Sequence, residues 1–237
     1  MGQEISRSHF SEADFAAFGE RLRAETALLD QWFREGRFAA TEAKGGFELE
    51  AWLVDRNARP AGINQPYLQR LDSPLVVPEL ATFNVEINGS PQPLHGRALS
   101  HMAEELSATW KECNQVAGGF DARLGMIGIL PTVAPADLCL ANMSPLQRYR
   151  ALNDQVLRLR QGRPLEVDIQ GREHLRMQHQ DVMLESAATS FQIHLKVSAE
   201  HGARYYNASK ILSAPMVALA ANSLLLFGRS LWEETRV

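Results

Sequence analysis

The sequence is short of several things, and each shortage excludes a class. It has only two cysteines, Cys113 and Cys139, with no CxxC partner. A disulfide framework or a cysteine-based zinc site is therefore excluded as an organising principle, and two buried free thiols in a reducing compartment is the expectation. It has no excess of basic residues: 24 Lys and Arg against 28 Asp and Glu give a net charge of -4, which lacks the footprint of a nucleic-acid binder. The longest uncharged run, Ile211 to Phe227, falls short of the roughly 20 apolar residues of a membrane span and contains Ser213, Pro215, Asn222 and Ser223. It reads instead as a buried core helix. The first residues, Met1 to Asp14, are polar and acidic, unlike a signal peptide. A cytoplasmic protein with no membrane partner is expected. There is no internal repeat and no Gly-rich phosphate loop, which argues against a Rossmann-type nucleotide site.

What remains is ordinary globular composition, 45% hydrophobic over 237 residues, enough for a sizeable core. Ser11 and Asp14 form a capping-box pattern opening a helix that carries Phe15, Phe18, Leu22, Leu29, Trp32 and Phe33. Gly45-Gly46 precedes a strand over 47–54. A loop is expected over 55–78, rich in proline and glycine, then a strand over 82–88. A helix over 98–116, a strand over 124–130 and a helix opened by Ser144-Pro145 follow. A short strand over 165–169, a clear strand over 190–198 and a long apolar helix over 205–231, kinked near Pro215, complete the chain. Strands and helices mix without βαβ alternation, so the expected class is α+β with a mainly antiparallel sheet and flanking helices.

Three of these strands share a feature. Side chains alternate along a strand, so residues two apart lie on one face. In Phe47-Glu48-Leu49-Glu50, the acids Glu48 and Glu50 fall together. In Phe83-Asn84-Val85-Glu86-Ile87, Asn84 and Glu86 do, and in Phe191-Gln192-Ile193-His194-Leu195, Gln192 and His194 do. Two carboxylates on one strand face stand roughly 7 Å apart and repel unless a cation joins them. Three carboxylates, two amides and one imidazole form a hard, oxygen-rich set that suits Mg²⁺ or Mn²⁺, and Mg²⁺ with few protein ligands keeps positions for substrate phosphates. The competing reading is a solvated face, since one side of an antiparallel sheet often meets water. Pattern alone leaves both open.

The ordered stretches resemble glutamate–cysteine ligase family 2, whose catalytic fold is similar to glutamine synthetase. They are Gly46-Phe47-Glu48-Leu49-Glu50, the segment from Glu79 through Asn84 to Glu86, Ser190-Phe191-Gln192-Ile193-His194, and Ala221-Asn222-Ser223 followed by Arg229 to Trp232 and Thr235-Arg236. The resemblance implies a curved sheet cradling ATP and divalent metal, and an ATP-dependent ligase that activates a carboxylate, usually the γ-carboxylate of glutamate, for attack by an amine or amino acid. It implies Glu48, Glu50, Glu86 and His194 as metal ligands. Glu48, Glu79, Asn84 and Gln192 are implied as cofactor-binding residues, and Arg229 and Arg236 as catalytic binders of phosphate or carboxylate. A non-catalytic relative that binds nucleotide or an amino acid, and a metal-dependent hydrolase, are the alternatives. One domain is expected over 1–237, with an N-terminal helix in 1–40 and a ligase cradle over 41–237 that continues past Val237, and an open sheet edge that pairing between copies could cover.

Overall fold

The computed structural model describes residues 3–38 and 42–235. It is an α+β protein whose strands pair antiparallel throughout. The first element is α1 (Glu12–Arg34), and the expected capping box is present: Asp14 accepts from the Ser11 N–H at 2.8 Å while Ser11 accepts from the Asp14 N–H. No residue of α1 is fully buried, although Arg158 stacks over the Phe15 ring.

The organising element is the long strand β1 (Lys44–Asp55). On one side it pairs with β3 (Asn84–Asn88) and, at its start, with β4 (Gln92–Pro93). On the other it pairs with β8 (Phe191–Lys196) along its first half and β5 (Ala122–Gly125) along its second. β2 (Val76–Pro78) extends the sheet beyond β3. The odd-numbered face of β1 holds Phe47, Leu49, Ala51 and Leu53. It packs with Val85 and Ile87 against α2 (Asn64–Leu71) and α3 (Ala98–Gly118), through Tyr67, Leu71, Cys113 and Ala117.

The even-numbered face changes character along the strand. Glu48 and Glu50 are polar, while Trp52 and Val54 enter a second core. There the Trp52 and Phe83 rings stack at 5.5 Å, and the Trp52 indole N–H donates to the Ile127 carbonyl. This core also takes residues from the hairpin β6 (Leu165–Gln170) and β7 (His174–His179), from the 182–187 turns, and from Leu226 and Leu231. The helix α4 (Gln147–Leu159) packs beside it through Tyr149 and Val156.

Several expected elements are corrected. The segment 55–78 is not all loop: it holds α2, where Pro66 sits in the first helical turn and its missing N–H costs no ladder bond, and it holds β2. The strand expected over 124–130 stops at Gly125. Ser144 does not cap α4: its hydroxyl donates to the Glu79 carbonyl and accepts from Asn64, and α4 begins at Gln147. β7 was not expected.

The largest correction concerns the C-terminal apolar run. The helix α5 (Gly202–Ala220) ends eleven residues before the expected Leu231, and none of it is buried. The chain then makes a hairpin of β9 (Leu225–Leu226) and β10 (Arg229–Ser230). Its two loop residues, Phe227 and Gly228, both have positive φ, the geometry of a tight primed turn. Apolarity at helical spacing did not place α5 in either core. Among the described residues no helix is long and apolar enough to cross a membrane.

Candidate functional site

The ladders around β1 put the three polar pairs on one surface. Glu50 stands opposite Glu86, Glu48 opposite both Asn88 and Gln192, and Gly46 opposite His194. Directly paired residues of an antiparallel ladder share a face, so Glu48, Glu50, Glu86, Gln192 and His194 are neighbours by register. Asn84, opposite Trp52, is on the same face at the edge of the apolar half. Glu79 follows the end of β2, whose Val77 faces Glu86.

This surface divides into two parts. The inner part is a cavity of about 260 Å³ with Glu50, Glu79 and Asn84 in its wall. Its cover comes from Gly128, from the 185–190 segment, and from Ser223, Glu234 and Thr235. Glu86 lies beside it, 2% exposed, and accepts from the Asn88 amide at 2.9 Å. Ser190 fixes Glu50 at both oxygens, through its N–H at 2.9 Å and its hydroxyl at 2.7 Å. The outer part is a more open cavity of about 760 Å³, walled by Glu48, Asn88, His194 and Lys196 among others. There His194 Nε2 is 3.4 Å from Glu48, which is 7% exposed. Gln192 reaches toward the Ser190 hydroxyl at 3.5 Å.

Electrostatics single out the inner cavity. The Glu79 carboxyl is pushed up to about 7, first by burial and then by the charges of Glu50 and Glu86. Glu50 is also raised, by burial first, against the opposing effect of its bonds from Ser190, with Glu86 adding to the rise. Burial and the nearby Glu79 likewise raise the Tyr149 hydroxyl. A divalent cation placed among these carboxylates would offset their mutual repulsion.

A second observation agrees. Asn84 is 3% exposed, yet neither its amide nitrogen nor its amide oxygen has a hydrogen-bond partner. Buried side-chain amides are normally satisfied, and one left open in a cavity wall fits a ligand. The donor set is thus oxygen-rich and suited to Mg²⁺ or Mn²⁺. As the side chains stand, no three His, Cys, Asp or Glu among the described residues enclose a single point.

The two arginines are placed differently. Arg229, on β10, is exposed and donates to Glu173 at 3.2 Å, and it does not line the inner cavity. Arg236 lies outside the described residues, directly after Thr235, which does line it. Sequence reasoning missed the cover: Gly128 lies in the part of the expected 124–130 strand that is not strand, Glu185 in a short 3-10 helix over 182–187, and Thr189 in the segment after it. Ser190, Ser223 and Thr235 fell within the stretches that carry the resemblance but drew no role of their own.

The fold and the site define an α+β protein with an acid-lined cavity of small-molecule size. The chain belongs to glutamate-cysteine ligase family 2, whose model matches residues 45–237. The members of this family are glutamate–cysteine ligase-like, carboxylate–amine ligases, which supports an enzyme acting on small molecules. A comparison with curated proteins finds no match.

Proposed function

We propose that the protein is an ATP-dependent carboxylate–amine ligase that uses Mg²⁺ or Mn²⁺ and forms an amide bond, with glutamate or a similar carboxylate as donor. The observation that carries this reading is the set of crowded carboxylates Glu50, Glu79 and Glu86 beside the unsatisfied amide of Asn84. A carboxylate and an amine do not condense in water. The donor carboxylate is therefore activated as an acyl phosphate, and the amine then displaces phosphate.

Glu48, Glu50, Glu86 and His194 would hold the divalent cations, with Glu79, Asn84 and Gln192 supporting them and the nucleotide. The cations, when bound, supply charge neutralisation to phosphate oxygens. Ser190 keeps Glu50 oriented through its two bonds, so that the carboxylate does not have to be ordered on binding. The cover formed by the 185–190 segment and Ser223 to Thr235 limits water at the floor, which protects an acyl phosphate from hydrolysis. Arg229 and Arg236 take the phosphate- or carboxylate-binding role that the resemblance implies, and Arg229 must exchange Glu173 for such a ligand.

The test is direct. The protein is incubated with Mg²⁺, ATP, glutamate and a panel of amines, and ADP and phosphate are followed. ADP formation that requires both glutamate and an amine is expected. Folded protein that forms no ADP above background sinks the reading for that donor.

A further inference from the structure

Glu79 and Asn84, both in the wall of the inner cavity, bracket the irregular connection between β2 and β3. Such a segment has no ladder of its own, so its buried carbonyls need donors from elsewhere. Each carbonyl from Pro78 to Asn84 has one. The Tyr149 hydroxyl serves Pro78 at 3.3 Å, and the Leu53 N–H serves Phe83 at 2.7 Å. The others go to two residues. Ser144 donates its hydroxyl to the Glu79 carbonyl at 2.5 Å and its N–H to that of Leu80 at 2.8 Å. Asn64 donates its N–H to the Thr82 carbonyl at 2.8 Å, and its side-chain amide to those of Ala81 at 3.2 Å and Asn84 at 3.3 Å. The two residues are themselves joined, the Asn64 amide donating to the Ser144 hydroxyl at 2.9 Å.

Both side chains are buried, and neither is in the cavity wall. Asn64 is the first residue of α2 and Ser144 lies just before α4, yet neither side chain caps its helix. Both direct their donors at the 79–84 segment instead. Stability alone is a poor reason for the asparagine. Its amide oxygen is buried without a partner, a cost that an apolar residue would avoid.

We propose that Asn64 and Ser144 are positioning residues for the cation site, which hold Glu79 and Asn84 in place beside Glu50 and Glu86 from behind the cavity wall. This rests on the cation role given to that cavity above. Neither residue touches a ligand; each acts through the backbone of the residues that do. Loss of outer bonds of this kind weakens metal affinity by about tenfold or more.

The test is binding of Mn²⁺, alone and with a non-hydrolysable ATP analogue, measured by calorimetry well below each variant's unfolding midpoint. Ser144→Ala and Asn64→Ala should each weaken Mn²⁺ about tenfold. Tyr67→Phe is the control. Tyr67 is on the same helix as Asn64 but faces the other core, and the substitution removes its buried bond to the Cys113 carbonyl. It should leave Mn²⁺ affinity unchanged. Glu79→Gln supplies the coupling. Residues that act through one another are not additive, so Ser144→Ala should add little to the loss in a Glu79→Gln background.

Equal weakening by Tyr67→Phe, or full additivity of Ser144→Ala with Glu79→Gln, overturns the proposal and leaves the ligase reading intact. The expected pattern of Mn²⁺ binding, without ADP from any donor and amine, sinks the ligase reading and leaves the positioning role. A folded parent protein that binds no Mn²⁺ overturns both. If Asn64→Ala does not fold, Ser144→Ala, which removes a single hydroxyl, decides alone.

Discussion

Glu50 and Glu86 face one another across the β1–β3 ladder, both on the side of the sheet that walls the inner cavity. Like charges directly opposite on adjacent strands destabilise a sheet. On the proposed function a divalent cation would join the two carboxylates and offset their repulsion. Glu86→Gln should therefore leave the metal-free protein as stable as the parent or more so, and remove most of the stabilisation that Mg²⁺ with ATP confers. A ligand at a hundred times its Kd stabilises by about 2.7 kcal/mol, an ample range for thermal unfolding to read. A parent-like rise in Tm with Mg·ATP in this variant would remove Glu86 from the metal site.

Glu79 gives a pH dependence whose sign can be worked out. Its carboxyl is raised to about 7 in the fold from an ordinary 4.5, by burial and then by Glu50 and Glu86. Between those values the folded chain holds a proton that the unfolded chain has released. Stability of the metal-free protein from this group is thus full below about 4.5 and declines as pH rises through 7. A divalent cation needs the ionised carboxylate, so its binding near pH 6 should expel a proton. Calorimetry in two buffers of different ionisation enthalpy reads that proton directly, and Glu79→Gln should abolish its release.

Much of the site surface was legible in the sequence because a strand has a period of two. Phe47-Glu48-Leu49-Glu50 can only put its acids on one side, and the observed register brought Glu86 and Gln192 beside them. The cover was not legible. Glu185, Thr189 and Glu234 reach the cavity through short turns and isolated bridges, whose geometry depends on tertiary contacts. Ser144 looked like a helix cap by local chemistry, yet its buried bonds to Glu79 and Asn64 prevail. In the C-terminal run, helical spacing over 205–231 concealed the Phe227-Gly228 turn. A non-glycine residue at positive φ is a choice that the local sequence does not advertise.

Gly171 should be intolerant of even a methyl group. A Cβ there would stand 2.5 Å from the Leu231 backbone, and backbone cannot swing aside as a side-chain tip can. The same close approach lets Arg172 N–H donate to the Leu231 carbonyl at 3.1 Å. Leu231 in turn leads to Glu234 and Thr235 in the cavity wall. Gly171→Ala should cost about 1–3 kcal/mol, the usual scale of overpacking. Because it displaces part of the cover, it should also weaken substrate binding. The midpoint of urea unfolding and the Kd for Mg·ATP check the two halves, and an unchanged midpoint would show that the segment carrying Leu231 adapts freely.

Asn84 provides the sharpest separation between stability and function. Its backbone carbonyl accepts from the Asn64 amide and would be kept by any substitution, but its own side-chain amide is buried and unpartnered. An unsatisfied buried polar group costs about 1–3 kcal/mol, and a leucine of similar size removes that cost. Asn84→Leu should accordingly raise the denaturation midpoint of the ligand-free protein. It should also lower affinity for Mg·ATP or for the donor, because the amide is retained for the bound state. Opposite signs in the two measurements are what a residue held unsatisfied for a ligand produces. A purely structural asparagine would lose stability on substitution and leave affinity untouched, so urea unfolding and isothermal titration on this one variant decide between them.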